Sequence, residues 1–353
     1  MINIKNLEIS AELKQLIVQI DIFNQSWQTS THLAPEQLKA LRHVATIESV
    51  GSSTRIEGVK LSDREVEQLL SGLTSKSFKS RDEEEVLGYA HVMEEVFASY
   101  EYIPLTENYI KQLHTMLLQH STKDVRHRGE YKKFPNNVEA FDAQGRSLGV
   151  VFETATPFDT IHKMKELIDW TNSAFEKHLT HPLIIIGIFI VTFLAIHPFQ
   201  DGNGRLSRIL TTLLLLKSGY FYVPYSSLET IVEATKEAYY RALRLTQQTL
   251  IKTQEPNFIP WLIYFLRSLQ KQIERLEFSI KREKLTLASL PKLAEQILAL
   301  VRERQKTTIA EVIETTQAPR STIKKYLAML VDQKYLMRHG RGRNVWYTAV
   351  DHL

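Results

Sequence analysis

The sequence predicts a mainly α-helical fold with one short β-hairpin near its middle and a basic helical module at its C-terminus. Three observations carry that prediction. Apolar residues recur at helical spacing through most of the chain, most densely from Pro182 to Ile196 (PLIIIGIFIVTFLAI). Between Arg128 and Pro157 that rhythm fails, and Val138, Phe141, Val150, Val151 and Phe152 flank the turn composition Asp142-Ala143-Gln144-Gly145. Charge is uneven: from Lys281 to Leu353 there are 14 Lys+Arg against 7 Asp+Glu, and in the remainder 30 against 33.

A chain of 353 residues has room for two domains, and its 43% hydrophobic and 24% charged content is ordinary for a soluble globular protein. Zero cysteines exclude disulfides and thiolate metal sites. The apolar run from Pro182 to Ile196 is too short to span a bilayer and reads as a core helix, so no membrane partner is expected. The opening residues MINIKNLEIS lack the basic-then-apolar pattern of a signal peptide, and a cytoplasmic location is expected.

In chain order, Leu13, Ile17 and Ile20 mark a first helix, and Leu38, Leu41, Val44 and Ala45 a second from Pro35 to about Val50. Gly51-Ser52-Ser53 reads as a break, after which Ser52 or Ser53 caps a helix of one or two turns that Gly58 ends. Two helical stretches follow over 63–100 around a serine- and lysine-rich joint, with Val86, Tyr89, Ala90, Met93 and Phe97 on one face. A helix fits 105–120, where His114 and His120 stand at poor metal spacing and read as structural or surface residues. Beyond the apolar run, Leu206, Ile209, Leu210, Leu213 and Leu214 make an amphipathic helix stopped by Gly219. Another helix covers 229–250, and a long one from Phe258 to about Leu287 turns from apolar to charged.

The chemistry concentrates between the two apolar helices, from His197 to Arg208 (HPFQDGNGRLSR). Asn203 and Gly204 open a helix, so unpaired N–H groups there favour an anion. Gly202 and Gly204 lack a Cβ and let a phosphate approach the backbone. Arg205 and Arg208, i and i+3, suit two neighbouring phosphates. Asp201 is the kind of oxygen ligand Mg²⁺ accepts beside phosphates. His197 suits a general base near neutral pH. Each feature alone is more often a cap, a turn or a solvated face; together they describe a nucleotide-phosphate site with a base beside it.

The same twelve residues resemble the Fic-domain signature, His-Pro-Phe-x-Asp/Glu-Gly-Asn-Gly-Arg-x-x-Arg, at every defined position, and the resemblance covers about residues 35–270. It implies a Fic helical core with the hairpin as a flap, and transfer of AMP from ATP to a hydroxyl side chain of a protein target, self-modification included. By that resemblance His197 deprotonates the hydroxyl and Asp201 holds Mg²⁺. Gly202, Asn203 and Gly204 bind the α- and β-phosphates, Arg205 neutralises their charge, Arg208 holds the γ-phosphate, and Phe199 faces the core. Tyr240, and with it Tyr239, is implied in the adenine pocket. Ser53 to Gly58 (STRIEG) fits the family's inhibitory motif Ser/Thr-x-x-x-Glu-Gly/Asn, which makes Ser53, Glu57 and Gly58 inhibitory and pairs Glu57 with Arg208. Residues 136–152 match, by position only, the flap that adds a target chain as a strand. The related Doc toxins, which hand over the γ-phosphate, depart from the pattern at the second glycine; Gly204 is intact here.

At the C-terminus, helices are expected at Leu293 to Val301, Ile309 to Thr315 and Ser321 to Asp332. A hairpin then joins Tyr335-Leu336-Met337 to Val345-Trp346-Tyr347-Thr348. This looks like a winged helix-turn-helix, with Arg320, Lys324 and Lys325 on its third helix and the turn before it, and Arg338, Arg341 and Arg343 in its wing. Such a footprint suits DNA, while winged helices also serve as protein-docking or dimerisation modules. The expected organisation is an N-terminal helical region (1–100), a catalytic core (101–270), a helical connector (271–289) and the winged module (290–353). A protein adenylyltransferase leads, ahead of an ATP-sensing DNA-binding regulator and a phosphotransferase of the Doc type. A homodimer is compatible with all three.

Overall fold

The computed structural model describes residues 1–353 except 1, 3, 5–6, 31–32, 34, 73–79, 142–146, 253–255, 289–290, 333–334, 341–343 and 350–353. The chain forms two compact units, Met1–Leu33 with Val44–Glu274, and Ala34–His43 with Arg275–Leu353. Helices dominate both, and no helix among the described residues is long and apolar enough to cross a membrane.

The elements of the first unit run α1 (Ala11–Ser30), α2 (Pro35–Ile56), α3 (Asp63–Ser71), α4 (Arg81–Ser99), α5 (Glu107–Leu117), β1 (Val138–Phe141), β2 (Ser147–Phe152), α6 (Pro157–Glu176), α7 (Pro182–Ile196) and α8 (Asn203–Lys217). A 3-10 turn at Val223–Tyr225, α9 (Leu228–Ala234), α10 (Lys236–Lys252) and α11 (Ile259–Ala288) follow; α2 and α11 each contribute residues to both units. The axis is α7. Every residue from Leu183 to Ile196 except Thr192 is buried, as an all-round apolar helix requires. It packs on α6, α8 and α10. Trp261 of α11 donates its indole N–H to the Gly187 carbonyl at 2.7 Å. In turn α8 packs on α4 and α5, so the loop between α7 and α8 is surrounded by helices.

The central hairpin forms as expected: β1 and β2 pair antiparallel, Val138 opposite Phe152 and Phe141 opposite Ser147. Its anticipated turn, Asp142 to Gly145, lies outside the described residues. Three local readings are corrected. No break occurs at Gly51-Ser52-Ser53; α2 runs through to Ile56. Ser52, Ser53 and Thr54 are fully buried and their hydroxyls are satisfied, Ser52 by Thr230, Ser53 by Arg208 and Thr54 by the Val50 and Gly51 carbonyls. Tertiary partners thus override the weak local helix propensity. The helix expected over 229–250 is two, interrupted at Thr235, whose backbone leaves the helical region (φ −119°, ψ 31°). And α6 has no counterpart in the sequence reading, because two of its buried positions are threonines, Thr160 and Thr171, which blur the apolar stripe.

The second unit contains α12 (Lys292–Arg304), β3 (Thr307–Thr308), α13 (Ile309–Thr316), α14 (Arg320–Asp332), β4 (Leu336–His339) and β5 (Trp346–Ala349), with an antiparallel sheet in the order β3-β5-β4. The three helices and the sheet close one core around Ile297, Val301, Val312, Ile323, Leu327 and Tyr347. This is the winged helix-turn-helix arrangement. Its strand β3 is only two residues long, too short to leave an alternation in the sequence. Arg341 and Arg343 of the wing lie outside the described residues.

A reciprocal cap starts α13: Thr308 accepts from the Glu311 N–H while the Glu311 carboxylate accepts from the Thr308 N–H. Thr308→Ala is expected to lower the unfolding free energy of this unit by about 1 kcal/mol. Urea denaturation followed through Trp346 checks it; an unchanged midpoint refutes the role of the cap.

Candidate active site

The loop joining α7 to α8 begins at His197, which ends α7 in a left-handed conformation (φ 53°, ψ 60°), its N–H donating to the Phe193 carbonyl at 2.9 Å. A non-glycine residue held there stores about 1–3 kcal/mol of strain, and Pro198 next to it cannot continue a helix. Nδ1–H donates to the Leu194 carbonyl at 3.2 Å, so the lone pair lies on Nε2. Burial, with the nearby Lys132 charge, pushes the imidazole down to about 4 against the pull of Glu57 and Asp201. At neutral pH it is therefore unprotonated, as a base must be.

Gly202 turns the chain into α8 with φ +78° and offers no side-chain cap, so the first N–H groups of α8 have no intrahelical acceptor. Asn203 does not reach outward. Its carboxamide clasps the loop, accepting from the Phe199 N–H at 2.8 Å and donating to the Phe199 carbonyl at 2.7 Å. Gly204 faces Glu57 directly: a Cβ built on it would lie 2.2 Å from Glu57 Oε1. A side chain at 204 would force the Glu57 carboxylate to move away.

The two arginines diverge instead of lying side by side, and neither is a solvated surface charge. Arg205, 2% exposed, pairs with Glu85 of α4 at 3.0 Å and with Asp201 at 3.4 Å. Arg208, 7% exposed, turns to the end of α2. Its Nε donates to Ser53 Oγ at 2.7 Å, and its Nη2 to the Ser53 carbonyl at 2.9 Å and to Glu57 Oε1 at 2.8 Å. Nη1 has no hydrogen-bond partner among the described residues. Burial works to raise the Glu57 carboxyl, but Arg208 beside it, then Arg205 and His197, hold it below the usual carboxylate range. Glu57 follows the last turn of α2 rather than riding on a separate short helix, and Gly58 (φ +105°) leads the chain away.

That helix end is clamped from α9 and α10. Arg55 grips Glu233 with two bonds at 2.7 and 3.0 Å, and Lys236 donates to the Ile56 carbonyl at 2.8 Å. Deeper in, Tyr89 donates to the buried Glu229 carboxylate at 2.9 Å.

Asp201 is the one carboxylate on the loop. One oxygen accepts from the Gly202 N–H at 2.6 Å, and the other meets the half-exposed Arg81 at 3.3 Å. Burial works to raise this carboxyl too, but Arg205, the Gly202 N–H and Arg81 hold it below the usual range. No cluster of three or more metal-ligating side chains exists among the described residues. A lone carboxylate suits Mg²⁺, which keeps waters and takes phosphate oxygens for the rest of its shell. Tyr239 is buried, edge-on to Tyr240 and Trp261 and tilted against Tyr264, and lines a cavity of about 30 Å³, large enough for water but not for a base. Tyr240 is half-buried beside it.

His114 is a residue whose part the sequence reading misses. Far from lacking a partner, it is fully buried: Nδ1 accepts from the Gly129 N–H at 2.9 Å, so Nε2 donates to the Asp201 carbonyl at 3.0 Å. Its ring stacks on Phe199, centroids 3.8 Å apart, and Phe199 is fully buried as expected. No local pattern signals this, because its partners stand 15 and 87 positions away.

Residues 104–215 match the Fic/DOC family, and residues 290–352 match the penicillinase repressor family. Protein adenylyltransferase Fic of Drosophila willistoni is 28% identical over 222 residues, 62% of this chain and 41% of that protein. The chain thus spans about two fifths of the length of the curated relatives it matches. A Fic family protein from Desulfovibrio desulfuricans superposes with a TM-score of 0.63 at 20% identity over 97% of both chains. A Fic domain containing signaling protein from Bacteroides thetaiotaomicron gives 0.57 at 24% identity, over 76% of this chain and 98% of its own. At these identities the likeness is one of fold.

Removing the His114 ring leaves a cavity and strands two buried polar groups. His114→Ala is expected to cost about 3 kcal/mol of stability, read by chemical denaturation; a loss below about 1 kcal/mol excludes the two hydrogen bonds as structural supports.

Proposed function

From a chain that carries a Fic/DOC family domain and a penicillinase repressor-like winged helix-turn-helix domain, we propose a protein adenylyltransferase that moves AMP from ATP to a Ser, Thr or Tyr hydroxyl of a protein target. The observation that carries this reading is a neutral imidazole with its lone pair on Nε2, at one end of a loop whose other end is an uncapped helix N-terminus flanked by Gly204 and Arg208. In the proposed reaction His197 Nε2 takes the hydroxyl proton and the oxygen attacks the α-phosphorus. A new P–O bond forms, the bond to the bridging oxygen of the β-phosphate breaks, and pyrophosphate leaves. The α8 N–H groups meet the α- and β-phosphates, Arg205 offsets their charge, and Arg208 meets the γ-phosphate. Asp201 is the residue that would hold Mg²⁺, whose charge would stabilise the leaving pyrophosphate. Tyr240, with Tyr239 behind it, is the proposed neighbour of the base.

Glu57 is the proposed inhibitor, with Ser53 and Gly58 shaping its approach. Its carboxylate bonds the guanidinium that the γ-phosphate would need and sits against Gly204, where α8 carries no Cβ. Arg208 cannot serve both. For the second domain we propose DNA contact through α14, which buries Ile323, Leu327 and Leu330 and leaves Arg320, Lys324 and Lys325 exposed.

ATP labelled on the α- or the γ-phosphate tests the reading, with wild type and Glu57→Gly each incubated with candidate acceptors and alone. Label from the α-phosphate is expected, and more of it in Glu57→Gly. Label from the γ-phosphate would make the enzyme a phosphotransferase of the Doc type, and none in either form would leave an ATP-sensing regulator. His197→Ala should abolish transfer and keep ATP binding. The imidazole, at about 4 in the chain as it stands and without the upward pull of Glu57 in Glu57→Gly, also sets that variant's pH profile. The rate should stay level through neutral pH and fall only on approach to that value, and a fall centred near 6.5, the free-histidine range, contradicts the assignment.

A further inference from the structure

Four consecutive carbonyls, Ile196 to Phe199, are all engaged by one short segment that leads into the hairpin. Lys132 Nζ donates to the Ile196 carbonyl at 3.0 Å, and the Lys132 backbone N–H to the Pro198 carbonyl at 2.8 Å. Asn136 Nδ2 donates to the His197 carbonyl at 3.3 Å and to the Phe199 carbonyl at 2.6 Å. The peptides on both sides of His197 are thereby held from outside their own helix. His197 needs this, since its left-handed conformation is one that the chain would otherwise relax.

The lysine is unusual for a scaffold residue. It is 3% exposed, and all three of its ammonium bonds go to neutral oxygens: the Ile196 carbonyl, Asn136 Oδ1 at 2.8 Å and Thr154 Oγ1 at 2.9 Å. Burial, and then Lys163, push it down to about 8. A cation held so is costly, and an apolar side chain would fill the space at less cost. Only a three-armed donor ties those three oxygens together.

Two of the three arms reach the base of the hairpin. Thr154 follows β2, and its N–H donates to Asn137 Oδ1 at 3.1 Å, while its hydroxyl donates to Asn136 Oδ1 at 3.0 Å. The next N–H, of Ala155, donates to the Ala195 carbonyl of α7 at 3.3 Å.

We propose that Lys132 and Asn136 are positioning residues that hold His197 in its reactive conformation and tie it to the base of the β1–β2 hairpin. A peptide seated on the hairpin and the imidazole that deprotonates it then share one frame. This rests on the adenylyl-transfer reading above, in which the hairpin presents the acceptor.

The test uses the full chain carrying Glu57→Gly. Asn136→Asp is isosteric and keeps the acceptor for Lys132 and Thr154 while removing both donated bonds to the loop. Lys132→Met keeps the stem and removes the three arms. Each is expected to lower kcat about tenfold to a hundredfold, with the affinity for ATP, measured by direct titration, kept within about twofold. A kcat within about twofold of the parent, or an equal loss of ATP affinity, overturns the proposal. If Lys132→Met alone loses ATP binding, Asn136→Asp decides. A second readout is independent of activity: the ¹⁵N spectrum of the His197 imidazole should leave the pure Nδ1–H form in both variants. Should the parent transfer no label, the functional reading fails and this spectrum alone decides, an unchanged imidazole overturning the positioning role.

Discussion

A guanidinium buried as deeply as Arg208 must be met on several sides, and much of the first unit is arranged to meet it. Ser53 supplies two oxygens and Glu57 a third. Ser53 can do so only if α2 continues past Gly51 with its serines facing inward, which is why the helix runs unbroken through a stretch whose local propensity favours a stop. Were Glu57 to leave, the Ser53 bonds would remain and the outer face of the guanidinium would have no partner. A buried cation with an open face favours an anion there. In this structure the Glu57 carboxylate fills that place.

The opposite requirement governs the loop between α7 and α8. Its residues are short, turning and partly strained, and few bonds within the loop hold it. From inside, Asn203 clasps Phe199 and Asp201 accepts from the Gly202 N–H; further restraints reach in from elsewhere. His114 takes the Asp201 carbonyl from α5, while Lys132 and Asn136 take the four carbonyls from Ile196 to Phe199. A base on such a loop is only as well aimed as the shell around it, because a misplacement of an ångström costs far more rate than it costs stability. The rigid scaffold is α7, and the precision is supplied from the segment before the hairpin.

This division explains what could be read in the sequence. The His197–Arg208 stretch was legible because its turn, its helix start and its charges are encoded within twelve adjacent residues. The extent of α7 was legible to the residue, since an unbroken apolar run admits one environment. The link from Glu57 to Arg208 came from the family resemblance, not from spacing, as 151 positions separate them. His114, Lys132 and Asn136 were invisible for the same reason: each is an ordinary residue whose partners are distant. The supposed break at Gly51 shows the converse error. Local propensity is a small term, and two buried hydroxyls with tertiary partners, those of Ser52 and Ser53, outweigh it.

Gly204 draws these strands together. The missing Cβ that would let a phosphate oxygen reach the start of α8 is also what admits the Glu57 carboxylate, with 2.2 Å between its oxygen and where that Cβ would stand. Proposed substrate and proposed inhibitor thus share one steric requirement and one cation. A substitution at Gly204 cannot separate them, and neither can one at Arg208. What can differ between them lies at the α2 end, which carries Glu57 but none of the proposed phosphate contacts. That end is held by the Arg55–Glu233 fork and by Lys236 on the Ile56 carbonyl, contacts to α9 and α10 that no nucleotide needs. Those two helices fix where the α2 end stands, and with it the place of the Glu57 carboxylate against Arg208.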